Sequence, residues 1–203
     1  MRLPNWRYEE IKEKITQLFF EFSQNIPVDV YMFATSLHII LVSYSSLNEN
    51  YKRRLQEIGD FILKDGFCVI GTKLGLDCSY IYYDDSQLPS RIRFTIMHEI
   101  AHIVLEHTES SDLAEAEANF FAKYALAPPA LIDLISPEDY IDIAKRFDIS
   151  NQCAQNCFNY YQSWKKKYEK SSHSYTAYEN VQVTCFGSYL SKHTEQEVTF
   201  GNT

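Results

Sequence analysis

Arg91-Ile92-Arg93-Phe94-Thr95-Ile96-Met97-His98-Glu99-Ile100-Ala101-His102-Ile103-Val104-Leu105 is the stretch on which the fold turns. Its apolar residues Ile96, Met97, Ile100, Ala101, Ile103 and Val104 mark a helix of the core. Yet it carries two histidines and a glutamate, each costly to bury without a partner. On a helix, residues four apart lie one above the other, so the imidazoles of His98 and His102 can reach one ion while Glu99 lies beside the position left open. This H-E-x-x-H spacing suits a catalytic Zn²⁺ with three protein ligands and one free position. A carboxylate beside that position can take a proton from water and pass it to a leaving amine. The expectation is one Zn²⁺, with Glu99 as the catalytic carboxylate and a peptide bond as the target.

A third ligand has to come from outside the pentapeptide. A metzincin would place glycine and histidine three and six positions after His102, where Leu105 and Thr108 stand, so that class is excluded. Glu115-Ala116-Glu117-Ala118-Asn119 offers the alternative. Glu115 and Asn119 share a helical face, with Glu115 as ligand and Asn119 orienting a ligand histidine. Glu117, pointing elsewhere, is the competing ligand. For the group that steadies the developing oxyanion, Tyr82, Tyr83, Arg91 and His107 are the candidates.

Outward from this centre, Ile11, Ile15, Leu18, Phe19 and Phe22 form an amphipathic stripe. Pro27-Val28-Asp29 starts a short helix ending near Leu37, and 39–44 read as a strand. Tyr51, Leu55, Ile58, Phe61 and Ile62 share a helix face stopped by Asp65-Gly66. Gly66, Gly71 and Gly75 punctuate a β-hairpin of 67–70 and 78–83. Helices are expected through Glu106, from about Asp112 to Ala125, from a Ser136 cap with Pro137 at the first position to Phe147, and from Ser150 to about Lys170. Beyond Ser171 no helical period is evident, with strand-like pieces at 181–186 and 198–200.

The 203 residues carry 27 acidic against 19 basic side chains, a net charge of −8, with 45% hydrophobic and 15% aromatic residues. That composition is globular and disfavours direct nucleic-acid binding without a local basic patch. No run approaches the roughly 18 apolar residues of a membrane helix. No apolar leader opens the sequence, and five scattered cysteines suit a reducing compartment, so the expected location is cytoplasmic. Cys153, Cys157, His173 and Cys185 could in principle ligate a structural zinc, but their spacing favours core thiols.

The run from Arg91 to His102, followed by Glu115-Ala116-Glu117-Ala118-Asn119-Phe120-Phe121-Ala122 and Leu126-Ala127-Pro128, resembles the ImmA/IrrE family of zinc metallo-endopeptidases. Ala101 and Ala127 are departures, standing where the family usually has glycine and often methionine. The resemblance implies an α+β, gluzincin-like fold with a small mixed or antiparallel sheet, an H-E-x-x-H active-site helix and a C-terminal helical, helix-turn-helix-like part. Expected boundaries are a zincin-like domain over 1–128, a helical subdomain over 129–170 packed on or beside it, and a tail over 171–203. The resemblance further implies that the strand around Ile81 forms an edge for an extended substrate. The partner it implies is a helix-turn-helix repressor encoded nearby, whose cleavage derepresses an operon. The acidic balance suits steering of such a basic partner.

Two rival readings remain at this level. Ala144, Asp148 and Ile149 resemble the turn of a helix-turn-helix, with Lys145, Arg146, Lys165, Lys166, Lys167 and Lys170 nearby for DNA contact. The other is a non-catalytic zincin fold that regulates by binding its partner, as an antitoxin-like module does.

Overall fold

A computed structural model describes residues 2–22, 26–58, 64–73, 76–171 and 174–186. Val30–Ala122 gather into one compact unit, and Pro4–Asp29 with the chain from Lys123 onward into another. The class is α+β, helix-rich with one three-stranded mixed sheet.

In the first unit the chain runs from α2 (Val30–Ser36) through β1 (Ile39–Ser43), α3 (Glu49–Ile58), β2 (Gly66–Lys73), β3 (Leu76–Tyr83) and α4 (Pro89–Val104) into α5 (Asp112–Leu126). Pro89 opens α4 at the position where a missing amide hydrogen costs nothing. Ile92, Ile96, Met97, Ile100 and Ala101 are all buried. Burying each of the larger ones contributes about 1.5–3 kcal/mol, so packing rather than helix propensity holds α4. α4 packs against β2 and β3, and α2 against β1.

The sheet order is β1-β3-β2. β1 runs parallel to β3, with Leu41 opposite Ile81, and β2 runs antiparallel to it, with Cys68 opposite Ile81. The expected hairpin is therefore present. The expected edge around Ile81 is not: β3 is the central strand, paired on both sides, and Ile81 is fully buried. Among the described residues β2 pairs only with β3, which makes β2 an edge of the sheet. Pairing order depends on contacts distant in sequence, and hydrophobic alternation does not report it. α3 ends at Ile58, and the expected face residues Phe61 and Ile62 lie outside the described residues. Gly66 belongs to β2.

The second unit holds α1 (Asn5–Phe22), α6 (Pro129–Ile135), α7 (Tyr140–Phe147), α8 (Asn151–Lys170) and α9 (177–186). Ile11, Ile15 and Phe19 of α1 are fully buried, as their spacing predicts. α6 was not expected, and it displaces the start of α7. Ser136 ends α6 in the left-handed region at φ 46°, and the cap of α7 is Asp139, whose carboxylate accepts from the Ile141 amide at 2.7 Å. The pieces read as strand at 181–186 are helical, and 198–200 lie outside the described residues. Thr176 and Glu179 form a reciprocal capping box: the Thr176 amide donates to Glu179 Oε2 at 2.8 Å, and the Glu179 amide to Thr176 Oγ1 at 3.4 Å. Gln182 of α9 is fully buried and donates to Thr16 Oγ1 at 2.7 Å. No helix among the described residues is long and apolar enough to cross a membrane.

At Gly66, β2 passes close to α4. A Cβ there would lie 2.6 Å from Thr95 Cγ2 and 3.0 Å from the Tyr82 carbonyl oxygen. Gly66→Ala is expected to cost about 1–3 kcal/mol of stability in urea unfolding of the chelator-treated protein, the usual penalty of overpacking. An unchanged unfolding midpoint would contradict this reading of the contact.

Candidate metal centre

His98, Glu99 and His102 all lie on α4, and the helix turns its polar face into a pocket of about 540 Å³. The pocket is bordered by β2 through Gly66, Phe67 and Cys68, and by α5 through Glu115 and Asn119. The Nε2 atoms of His98 and His102 face each other at 3.1 Å. Glu115 places Oε2 3.3 Å from His98 Nε2 and Oε1 3.6 Å from His102 Nε2. Ligands at the 2.0–2.1 Å bond lengths of tetrahedral zinc are about 3.3–3.4 Å apart, so the three donors stand at the spacing one ion requires. Among the described residues this is the only group of three or more His, Cys, Asp or Glu side chains so placed. The donor set therefore fits a metal.

Glu117, the competing ligand, turns away from this group. Its Oε2 accepts from His107 Nε2 at 3.0 Å, and His107 Nδ1 meets His102 Nδ1 at 2.9 Å. Two positions along a helix rotate a side chain by about 200°, which is why Glu115 and Glu117 serve different neighbours. Asn119 lines the pocket, but its amide donates to the Glu115 carbonyl at 2.7 Å. His98 Nδ1 is buried with no hydrogen-bond partner.

Of the four oxyanion candidates, His107 alone lines the pocket. The Tyr82 hydroxyl pairs with that of Tyr51 at 2.8 Å, Tyr83 packs edge-on to Tyr31, and Arg91 forms an ion pair with Asp65. That ion pair ties the start of α4 to the residue preceding β2. Cys153 and Cys157 are buried free thiols, Cys185 is exposed, and His173 lies outside the described residues. Lys165, one of the basic residues beside the helix pair, is held by Tyr161 and Asp133.

Sequence reasoning missed Cys68, which hydrogen-bonds the Glu99 carboxyl, and Lys64, whose charge reaches it. It also missed the pairing of His107 with His102 and Glu117. The available signal was a histidine five residues past His102 together with a second acid in E-x-E.

Residues 38–158 match the Peptidase M78 family, described as the IrrE N-terminal-like domain, over more than half of the chain. The chain belongs to this family. The resemblance to ImmA/IrrE peptidases is thereby borne out, and the matched span of this metallopeptidase-like family contains β1 through α7 and every residue of the pocket. No curated protein matches the chain.

Burial sets the electrostatics of the pocket. It pushes Glu99 up to about 7, with Glu115 adding to the rise and Cys68 and Lys64 opposing it. It lowers His98 against the pull of Glu115, and it lowers His102 to about 4, helped by His98. These shifts have opposite consequences for stability. With its folded pKa raised from 4.5 to about 7, Glu99 stabilises the fold fully below the unfolded value and loses that contribution as pH rises through about 7. With His102 depressed from 6.5 to about 4, its contribution is present above the unfolded value and is lost as pH falls toward 4. In the chelator-treated protein, Glu99→Gln removes the first effect alone. Its stability relative to the parent is expected to increase from about pH 4.5 to 7, measured by urea unfolding at stepped pH. A pH-independent difference would show that Glu99 is not held neutral by burial.

Proposed function

We propose that this chain is a zinc-dependent endopeptidase of gluzincin-like design, with His98, His102 and Glu115 holding one Zn²⁺ and Glu99 as the general base. The observation that carries the proposal is the convergence of two imidazole nitrogens from one helix and a carboxylate from another, at tetrahedral spacing, beside a buried glutamate. A divalent ion there supplies Lewis acidity to the scissile carbonyl and brings the pKa of water toward neutrality. Glu99 takes the proton from the attacking water and returns it to the leaving amine.

The substrate is an extended segment of a protein. β2 is an edge strand among the described residues and borders the pocket, so main-chain hydrogen bonds along it would hold a peptide near the ligand set with little dependence on sequence. Selectivity then falls to docking between folded surfaces. The family resemblance points to a helix-turn-helix repressor encoded beside this gene, met in the cytoplasm, and the net charge of −8 favours the approach of a basic DNA-binding protein.

The purified chain loaded with Zn²⁺ is expected to cut the repressor encoded next to it, and a chelator to stop the reaction. Glu99→Gln is expected to retain metal and partner binding while losing about 10²–10⁴-fold in cleavage rate, the usual worth of a general base. Equal cleavage by parent and Glu99→Gln would sink the catalytic assignment. In zinc titrations, Glu115→Ala is expected to weaken metal binding more than Glu117→Ala, and the reverse order would move the third ligand to Glu117.

A further inference from the structure

His102 differs from His98 in what stands behind it. The Nδ1 of His98 is buried without a hydrogen-bond partner, whereas the Nδ1 of His102 meets His107 Nδ1 at 2.9 Å. His107 in turn places Nε2 3.0 Å from Glu117 Oε2, and both side chains are largely buried, at 11% and 7% exposure.

The backbone builds the same connection a second time. α4 ends in a Schellman motif: Glu106 takes the left-handed conformation at φ 57°, its amide donates to the Ile103 carbonyl at 3.1 Å, and the His107 amide donates to the His102 carbonyl at 3.0 Å. His107 is thus anchored to His102 by main chain and by ring. The next helix supplies the carboxylate from its buried Glu117.

One proton arrangement is consistent with His102 offering its Nε2 lone pair toward His98 and Glu115. The His102 Nδ1–H donates to His107 Nδ1, and the His107 Nε2–H donates to the Glu117 carboxylate. We propose that His107 and Glu117 are positioning residues that fix the tautomer and ring plane of His102 through a carboxylate–histidine–histidine chain. This inference rests on the metal-site reading above. It gives the second acid of E-x-E a task other than ligation, and it places the support of the centre on one imidazole rather than on both. A carboxylate behind a ligand histidine sharpens its orientation and basicity, and loss of such support lowers metal affinity by about 10–100-fold.

The test measures Zn²⁺ dissociation constants of the full chain by competition with a chromophoric chelator, for the parent, His98→Ala, His107→Ala, His107→Asn and Glu117→Ala. Unfolding midpoints of the metal-free proteins and Co²⁺ absorption spectra accompany them. His107→Ala is expected to bind Zn²⁺ about 10–100-fold more weakly and to show an altered Co²⁺ spectrum, with little change in the metal-free midpoint. Glu117→Ala is expected to weaken binding in the same direction. His107→Asn is expected to recover part of the loss, because its amide oxygen can accept from His102 Nδ1–H. Parent affinity in His107→Ala, or an equal loss in both His107 variants together with a lowered metal-free midpoint, overturns the positioning role and leaves the metal site standing. If the parent binds no more tightly than His98→Ala, the metal-site reading itself fails.

Discussion

The unit formed by Val30–Ala122 depends on one constraint: α4 carries two imidazoles and a carboxylate within a single turn and must still bury its remaining faces. Polar groups taken out of water without partners cost several kcal/mol in total. The helix meets this by dividing its surface. Ile92, Ile96, Met97, Ile100 and Ala101 are buried, while His98, Glu99 and His102 open on a pocket whose other walls provide partners. Those partners arrive from three directions. β2 brings Cys68 to Glu99, α5 brings Glu115 to both imidazoles, and the chain leaving α4 folds back to set His107 against His102. The close passage of β2 over α4 at Gly66 therefore belongs to the chemistry of the site as much as to its packing.

Burial also selects the protonation state that ligation needs. An imidazole binds a metal only when neutral, and the desolvation that lowers His98 and His102 keeps them so despite Glu115 nearby. Glu115 is half exposed at the pocket rim, with 50% of its side chain accessible, so its charge is partly screened and does not overturn that effect. Glu117, with 7% of its side chain accessible, is a different kind of group on the same helix, held against His107 inside the fold. Two carboxylates separated by one alanine thus occupy different dielectric surroundings, and that difference separates their tasks.

Much of this was legible in the chain before folding. The i, i+4 histidines, the glutamate between them and the acid on the following helix came from local periodicity, which a helix obeys whatever surrounds it. The start of α8 at Ser150 and the hairpin were legible from local signals too, whereas the cap expected at Ser136 lies at Asp139. What escaped was set by distant contacts or hidden by competing local signals. The central place of β3 follows from the parallel pairing of β1 with it, a contact spanning α3 and β2. The β-branched residues Val181, Val183 and Thr184 suggested a strand, yet Glu179, Gln182 and Phe186, at helical spacing, are the ones buried. The capping box of Thr176 and Glu179 was the overlooked sign. His107 stood out in the chain only as an oxyanion candidate, because its pairing with His102 depends on the fold-back of the chain at Glu106.

That fold-back shows how this protein distributes its glycines. Among the described residues four non-glycine side chains adopt positive φ, and His38, Glu106, Ser136 and Asp148 each stand just past the end of a helix, where glycine is the usual occupant. A left-handed residue with a Cβ costs about 1–2 kcal/mol, less for Asn and Asp, whose short side chains can bond locally. Asp148 therefore fits the turn between α7 and α8, its short side chain tolerating the left-handed conformation at φ 50°. At Gly66 the requirement is of another kind. Its φ is not left-handed, and it is the space beside Thr95 and the Tyr82 carbonyl that admits no Cβ. These helix ends absorb conformational cost in residues that keep a side chain, whereas a side chain at Gly66, where β2 passes over α4, requires its neighbours to shift. The wall of the pocket next to Glu99, where strand meets helix, is thus closely packed.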